Sequence, residues 1–242
     1  MVVILAPRLS LIIPAYNEER RIAVTLDHIL SYLARQDYGA EIILVDDGSL
    51  DTTAELVKAL YPKVSVISYT PNRGKGHAVK TGMLAATGDY RVFYDADGST
   101  PINELDRMWP CFEAGADIVI GSRSLPESDV QVRQHYIRES MGRTFNKFVK
   151  MLLGLPFVDT QCGFKGFTAR SAQNLFPRQR RNRFSFDAEL LYIARKHHLR
   201  VHELPVCWIN SPHSRVKLLR DSFDMLRGIF RIRLNDLARK YE

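Results

Sequence analysis

The chain has 242 residues, 45% hydrophobic and 25% charged, which makes disorder not the default reading and suffices to bury a sizeable core. Its three cysteines, Cys111, Cys162 and Cys207, lie far apart with no Cys-x-x-Cys pair, which argues against a disulfide framework and a structural zinc site and fits a reducing cytosol. The formal charge of +7 admits nucleic acid, anionic membranes or phosphorylated small molecules as partners, and its sign alone does not choose among them.

Strand and helix signals alternate through the first half. Residues 9–14 read as a buried strand, and 18–35 as a helix with Ile22, Leu26, Ile29, Leu30 and Leu33 at helical spacing. Residues 41–45 are a second predicted strand, 51–60 a capped helix, 64–69 a third strand, 75–86 a helix and 89–94 a fourth strand. A helix over 104–114 and a short strand over 117–121 follow. This rhythm predicts an α/β fold, a mostly parallel sheet with helices on both faces, whose ligands bind beyond the carboxyl ends of the strands.

The second half is less regular. Residues 124–134 read as a surface loop, 136–153 as a helix, 159–167 as a mixture of small polar and apolar residues, and 186–196 as a helix. Residues 201–209 alternate like an edge strand that Pro205 weakens. Residues 219–241 form a long amphipathic helix with Leu219, Phe223, Leu226, Phe230, Leu234 and Leu237 three or four apart. No apolar run approaches about 18 residues, and the opening Met-Val-Val-Ile-Leu-Ala is too short for a signal peptide, so a soluble or peripheral protein is expected. No repeat or linker interrupts the chain, and one domain over 1–242 is the simplest organisation.

Polar clusters fall at the predicted strand ends. Asp95-Ala96-Asp97-Gly98 places two carboxylates two residues apart, on one side of an extended backbone. Hard ions such as Mg²⁺ or Mn²⁺ take such oxygen ligands together with substrate phosphates, although Asp-x-Asp-Gly is also a common turn. Pro14-Ala15-Tyr16-Asn17-Glu18 offers a sharp turn that can set Tyr16 against a base and Glu18 near a ribose, or simply place acids at a helix start. In Asp46-Asp47-Gly48-Ser49 only one of the adjacent acids can face a given ligand, and an ionised Asp can accept from the N3–H of uracil. Asn72-Arg73-Gly74-Lys75-Gly76 brings backbone N–H groups, two cations and a helix start, an anion-binding arrangement without the Walker spacing.

In this order, over residues 9–123, these stretches resemble family 2 glycosyltransferases of the GT-A fold. Gly121-Ser122-Arg123, Asp159-Thr160-Gln161-Cys162-Gly163-Phe164-Lys165 and Phe186-Asp187-Ala188-Glu189-Leu190 are similar to dolichyl-phosphate β-glucosyltransferases in particular, which extends the resemblance over nearly the whole chain. The eukaryotic glucosyl enzymes carry an N-terminal membrane anchor that these residues lack, so membrane attachment and acceptor are the points where the pattern departs.

The resemblance implies roles. Pro14, Tyr16, Glu18 and Asp47 would hold the nucleoside, and Lys75 would approach the nucleotide. Asp95, Ala96 and Asp97 would engage ribose and metal, with Asp95 and Asp97 as the ligands of Mg²⁺ or Mn²⁺. Arg123 and Arg138 match arginines that grip an acceptor phosphate in mannosyl relatives, and Arg215 sits near the donor pyrophosphate. Residues 1–123 would be the nucleotide-sugar half, 124–217 the acceptor half and 218–242 the basic helix. Asp159 and Asp187 are the remaining carboxylates, each either catalytic or an arginine's partner or cap.

The implied reaction moves glucose from UDP-glucose to a polyprenyl (dolichyl) phosphate with inversion. GDP-mannose as donor and a soluble hydroxyl acceptor are the alternatives, and a hydroxyl would require a true base. The predicted C-terminal helix carries Arg220, Arg227, Arg231, Arg233, Arg239 and Lys240 on its polar side. That side suits an anionic membrane, where each cation contributes roughly 1 kcal/mol, or else a solvated face. A cytoplasmic protein peripheral to a membrane is expected. Nucleic acid is not an expected partner, because no zinc motif, helix-turn-helix or RNA-recognition signature is present.

Overall fold

The structure, a computed structural model, describes residues 8–132, 136–210 and 218–242, with the backbone alone at 132, 136–141, 143 and 218–222. A seven-stranded sheet forms its centre. In chain order the first half runs β1 (Leu9–Ala15), α1 (Ile22–Leu33), β2 (Ala40–Asp46), α2 (Thr53–Leu60), β3 (Val64–Ser68), α3 (Lys75–Ala85) and β4 (Tyr90–Tyr94). A short 3₁₀ turn (Ile102–Glu104), α4 (Leu105–Glu113) and β5 (Ile118–Ser122) complete it. The second half runs β6 (Asp129–Val132), α5 (Tyr136–Leu153), β7 (Phe164–Thr168), α6 (Ala169–Arg178), α7 (Phe186–Lys196), β8 (Val201–Pro205), β9 (Cys207–Ile209) and α8 (Leu218–Leu237).

The strand order is β3-β2-β1-β4-β7-β5-β8. All neighbours are parallel except β7, which runs antiparallel to β4 and β5. The α/β expectation of a mostly parallel sheet is met. Parallel strands covered on both faces are apolar on both sides, and β1 and β5 are buried along their whole length. One apolar layer, including Ile12, Phe93 and Phe167, packs under α3 and α5 to α8. The opposite layer, including Leu11, Val92 and Phe164, packs under α1, α2 and α4.

Three readings of the second half change. Residues 124–134 are not all loop, because β6 pairs with β9 in a separate two-stranded sheet. Residues 201–209 are two strands: β8 closes the edge of the main sheet, and Pro205 marks the point where the chain leaves it for β9. The mixture at 159–167 ends in β7, whose buried Lys165 hides the strand pattern.

The last helix also turns a different face inward. Met225, Ile229 and Ile232 are buried, whereas Phe223 is 65% exposed, Phe230 55%, Leu234 62% and Leu237 78%. Both sets have helical spacing, so periodicity alone could not choose. Gly228 lies with the buried set, and a Cβ there would meet Ser185 Oγ at 2.3 Å, so close packing on the turn before α7 selects that face.

Candidate active site

The strand order reverses between β1 and β4, and the crevice at such a switch point is where ligands bind in open α/β sheets. The turn after β1 is pinned from the side of β2. Asn17, at φ 55°, donates its N–H to Ser49 Oγ at 2.9 Å, and its side chain accepts from the Leu50 N–H at 2.7 Å. Glu18 donates its N–H to Thr53 Oγ1 at 2.8 Å, and its carboxylate takes the Arg21 guanidinium. Pro14 is buried under this turn and Tyr16 is half-buried on it. Burial disfavours the charge on Arg21, but Glu18 and then Asp97 and Asp95 outweigh it and raise its pKa. Arg21 carries no motif, and sequence reading missed it.

Asp46 and Asp47 both hold the turns beside them. Asp46 accepts from the Ser49 N–H at 3.1 Å. Asp47 accepts from Asn72 Nδ2, the Arg73 N–H and the Gly74 N–H, each at 2.8 Å. These bonds fold the 72–74 turn over the end of β2 and deliver Lys75 to the start of α3.

From there Lys75 reaches β4. Its Nζ lies 2.6 Å from Asp95 Oδ1. Burial opposes the charge on Lys75, yet Asp95 and Asp187 hold its pKa above the ordinary lysine value. Asp95 is shifted upward, first by burial and then by the nearby Asp97 and Asp187, with Lys75 opposing. Asp97 accepts from the Ser99 N–H at 3.0 Å, and the Ala96 carbonyl between the two acids accepts from Thr25 Oγ1 at 2.8 Å. The pair of acids is thus held by α1 and by its own turn.

The reversed strand β7 brings the second half to the same place. Tyr94 pairs with Phe164, so the residues just beyond them meet, and the Asp95 N–H donates to the Gly163 carbonyl at 3.1 Å. A Cβ on residue 163 would fall 1.9 Å from Asp95 Oδ2, so only glycine fits. Two residues on, buried Lys165 donates to Asp187 Oδ1 at 2.6 Å and to the Cys162 carbonyl at 2.5 Å. Asp187 is therefore a lysine's partner, with Lys165 and Lys75 both within its field.

Arg123, at the end of β5, forms a two-pronged pair with Asp159. Its Nε lies 2.7 Å from Oδ2 and its Nη2 2.9 Å from Oδ1, and its backbone N–H also reaches Oδ2 at 3.0 Å. The guanidinium sits 5.6 Å from the Trp208 ring centroid. Asp159 is 1% exposed, and although burial works against ionisation, Arg123 and the Gln161 N–H bring its pKa to about 2. Between the two readings of Asp159, this geometry is that of an arginine's partner, and a carboxylate of such low basicity is a poor proton acceptor at neutral pH. Arg138 lies in the first turn of α5 with its side chain outside the described residues, and Arg215 lies outside them altogether.

The arrangement sets crowded carboxylates beside a guanidinium. Asp95 and Asp97 fit a hard divalent ion, since burial and the neighbouring acids disfavour the charge on Asp95, and a bound cation would stabilise it beside what Lys75 already supplies. Among the described residues no cluster of three or more His, Cys, Asp or Glu could enclose an ion unaided. An ion held by Asp95 and Asp97 would be completed by phosphate oxygens. Of the five N–H donors of an arginine side chain, Asp159 takes two from Arg123, and among the described residues the others have no hydrogen-bond partner and suit an anion.

The Glycosyl transferase family 2 model matches residues 10–176. The chain is 37% identical over 244 residues to a dolichyl-phosphate beta-glucosyltransferase of Dictyostelium discoideum, covering 95% of this chain and 75% of the relative. It is 33% identical to that of Homo sapiens, covering 96% and 76%. Among solved structures it is similar to mannosyl-3-phosphoglycerate synthase from Rubrobacter xylanophilus, with TM-score 0.72 and 20% identity over 97% of this chain and 75% of that one. It is also similar to glucosyl-3-phosphoglycerate synthase from Mycobacterium tuberculosis in complex with Mn²⁺ and UDP-glucose, with TM-score 0.68 and 20% identity over 95% and 78%. The GT-A expectation for the fold is met.

Proposed function

The chain belongs to glycosyl transferase family 2, and we propose that it moves glucose from UDP-glucose to a polyprenyl phosphate with inversion at the anomeric carbon. The observation that carries the acceptor is Arg123, a guanidinium with donors to spare on the same edge as Asp95 and Asp97. Such a pairing suits a reaction between two phosphorylated molecules, which repel one another until their charge is screened. The similarity to dolichyl-phosphate beta-glucosyltransferases, over most of this chain and three quarters of the relatives, supports the lipid acceptor and the glucosyl donor.

In this reading Pro14, Tyr16 and the Asp47-clamped turn line the nucleoside side, with Glu18 fixing Arg21 toward the carboxylates. Asp95 and Asp97 would hold Mg²⁺ or Mn²⁺, which supplies charge neutralisation on the diphosphate when bound. Lys75 adds a fixed positive charge from the helix start. Arg123, with Arg138, orients the acceptor phosphate. A phosphate oxygen forms the new bond to C1 as the bond to UDP breaks, so an α-linked donor gives a β-linked product. The acceptor is already ionised at neutral pH and needs no base, in keeping with Asp159 and Asp187 both being ion-paired. Positioning and charge screening then supply most of the rate.

A lipid acceptor places the protein at a membrane surface. No described helix is long and apolar enough to cross one. The outward stripe of α8, Phe223, Phe230, Leu234 and Leu237, with exposed Arg227 and Arg231 on the same helix, suits insertion of apolar side chains between anionic headgroups on the cytoplasmic face.

The test is transfer of label from UDP-glucose, with GDP-mannose in parallel, to polyprenyl phosphate in detergent with added metal. Label on lipid from UDP-glucose alone, removed by chelator, supports the reading. Label from GDP-mannose alone, or product only with a soluble hydroxyl acceptor, overturns it.

A further inference from the structure

Resting on Arg123 as the acceptor-phosphate ligand, we propose that Asn146 and Glu203 are positioning residues that set Arg123 through a clamp on the 158–160 segment. Neither residue belongs to a motif or to the crevice. Asn146 lies on α5 and Glu203 on β8, and they grip the segment from two elements.

Glu203 accepts the Asp159 N–H at 2.7 Å and the Val158 N–H at 3.0 Å. Asn146 donates from Nδ2 to the Val158 carbonyl at 2.9 Å and accepts the Thr160 hydroxyl on Oδ1 at 3.0 Å. The backbone before the Asp159 side chain and the Thr160 side chain after it are thereby held. Asp159 in turn accepts four hydrogen bonds, from Arg123 N, Nε and Nη2 and from the Gln161 N–H. Its carboxylate has no freedom to adapt if the segment shifts, so any displacement of the segment is passed to the guanidinium.

A carboxylate on β8 does something further. Glu203 sits against the same peptide that presents Asp159, and its hydrogen bonds come from backbone N–H groups. Glu203 thus holds the peptide that presents Asp159 without competing for Arg123 itself. The hydrophobic side is set by Trp208, whose ring backs the guanidinium from β9. Arg123 thus has its charge partner, its ring and its segment each fixed by a different element, and only its outward N–H groups are left to meet a phosphate.

The clamp predicts a selective kinetic effect. Asn146→Ala removes both of its hydrogen bonds to the segment and should raise the KM for polyprenyl phosphate about fivefold to tenfold. The affinity for UDP with Mn²⁺, measured by calorimetry, should stay within twofold. Asn146→Ala should have little further effect on acceptor KM in an Arg123→Lys background, because both act through one guanidinium. Glu203→Gln, which keeps one carbonyl acceptor, should give an intermediate rise and serves if Asn146→Ala does not fold.

If Arg123→Lys raises acceptor KM while Asn146→Ala and Glu203→Gln leave it unchanged, the clamp is wrong and the reading of Arg123 stands. If Arg123→Lys leaves acceptor KM unchanged, the reading of Arg123 fails, and the clamp with it. Equal losses of UDP and acceptor affinity, or effects of Asn146→Ala and Arg123→Lys that multiply, would show a general structural role and overturn the proposal.

Discussion

Replacing Asp159 by asparagine separates structure from chemistry at this site. In the folded chain its carboxyl sits at about 2, against an ordinary value of 3.8. At about 1.36 kcal/mol per pH unit, a depression of that size is worth roughly 2–3 kcal/mol to the folded state at neutral pH. The sign follows from linkage: the folded pKa is lowered, so the contribution is complete above the unfolded value and is lost as pH falls from about 4 through about 2. Arg123 is 28% exposed, so water offsets part of what it loses when its partner becomes neutral. For a chain of this size 1 kcal/mol shifts the melting temperature by about 2–4 °C, and Asp159→Asn should lower it by roughly 4–12 °C at pH 7. The same comparison by scanning calorimetry below pH 3 should show a smaller gap. In transfer assays the variant should raise acceptor KM, with kcat reduced far less than removal of a general base would cause. An unchanged melting temperature at pH 7, or a kcat fall of about a thousandfold with acceptor KM untouched, would refute the reasoning.

Three further outcomes follow from the carboxylate side and the outer helix. Gly163→Ala places a Cβ on top of the Asp95 carboxylate, and calorimetric titration with Mn²⁺ and UDP should show binding lost before the fold is lost. Lys75→Met removes the cation that opposes the upward shift of Asp95, so the acidic limb of the pH–rate profile should move to higher pH; an unmoved limb would exclude Asp95 from the rate. Phe230→Glu together with Leu234→Glu should abolish sedimentation with anionic liposomes at low salt while leaving transfer to a detergent-dispersed acceptor nearly unchanged.

The first half of the fold was legible because its strands are covered on both faces and so are written as apolar runs, with acids and glycines where each run ends. Asp95 and Asp97 could be placed at a strand end from that pattern alone. The second half resisted for a physical reason. β7 is a central strand containing a buried lysine, and Lys165 reads as surface until Asp187 is known to face it. Asp159 and Arg123 are 36 residues apart, and no local spacing states that they meet. Arg21, Asn146 and Glu203 matter through contacts with backbone or with other charges, which composition does not record. In α8 two apolar stripes compete, and the choice rests on the close approach at Gly228.

The reversal of β7 has a bearing on how such a catalyst can diversify. Its hydrogen bonds to β4 fix the register of Asp95 against Gly163 whatever lies between β5 and β7. The stretch from residue 123 to 158 leaves the end of β5 and returns toward its neighbour β7, so the β4–β7 pairing that sets Asp95 does not run through it. If this excursion carries the acceptor site, as proposed above, one acceptor can be exchanged for another by rewriting it alone, while Asp95 stays in the register where β4 and β7 hold it.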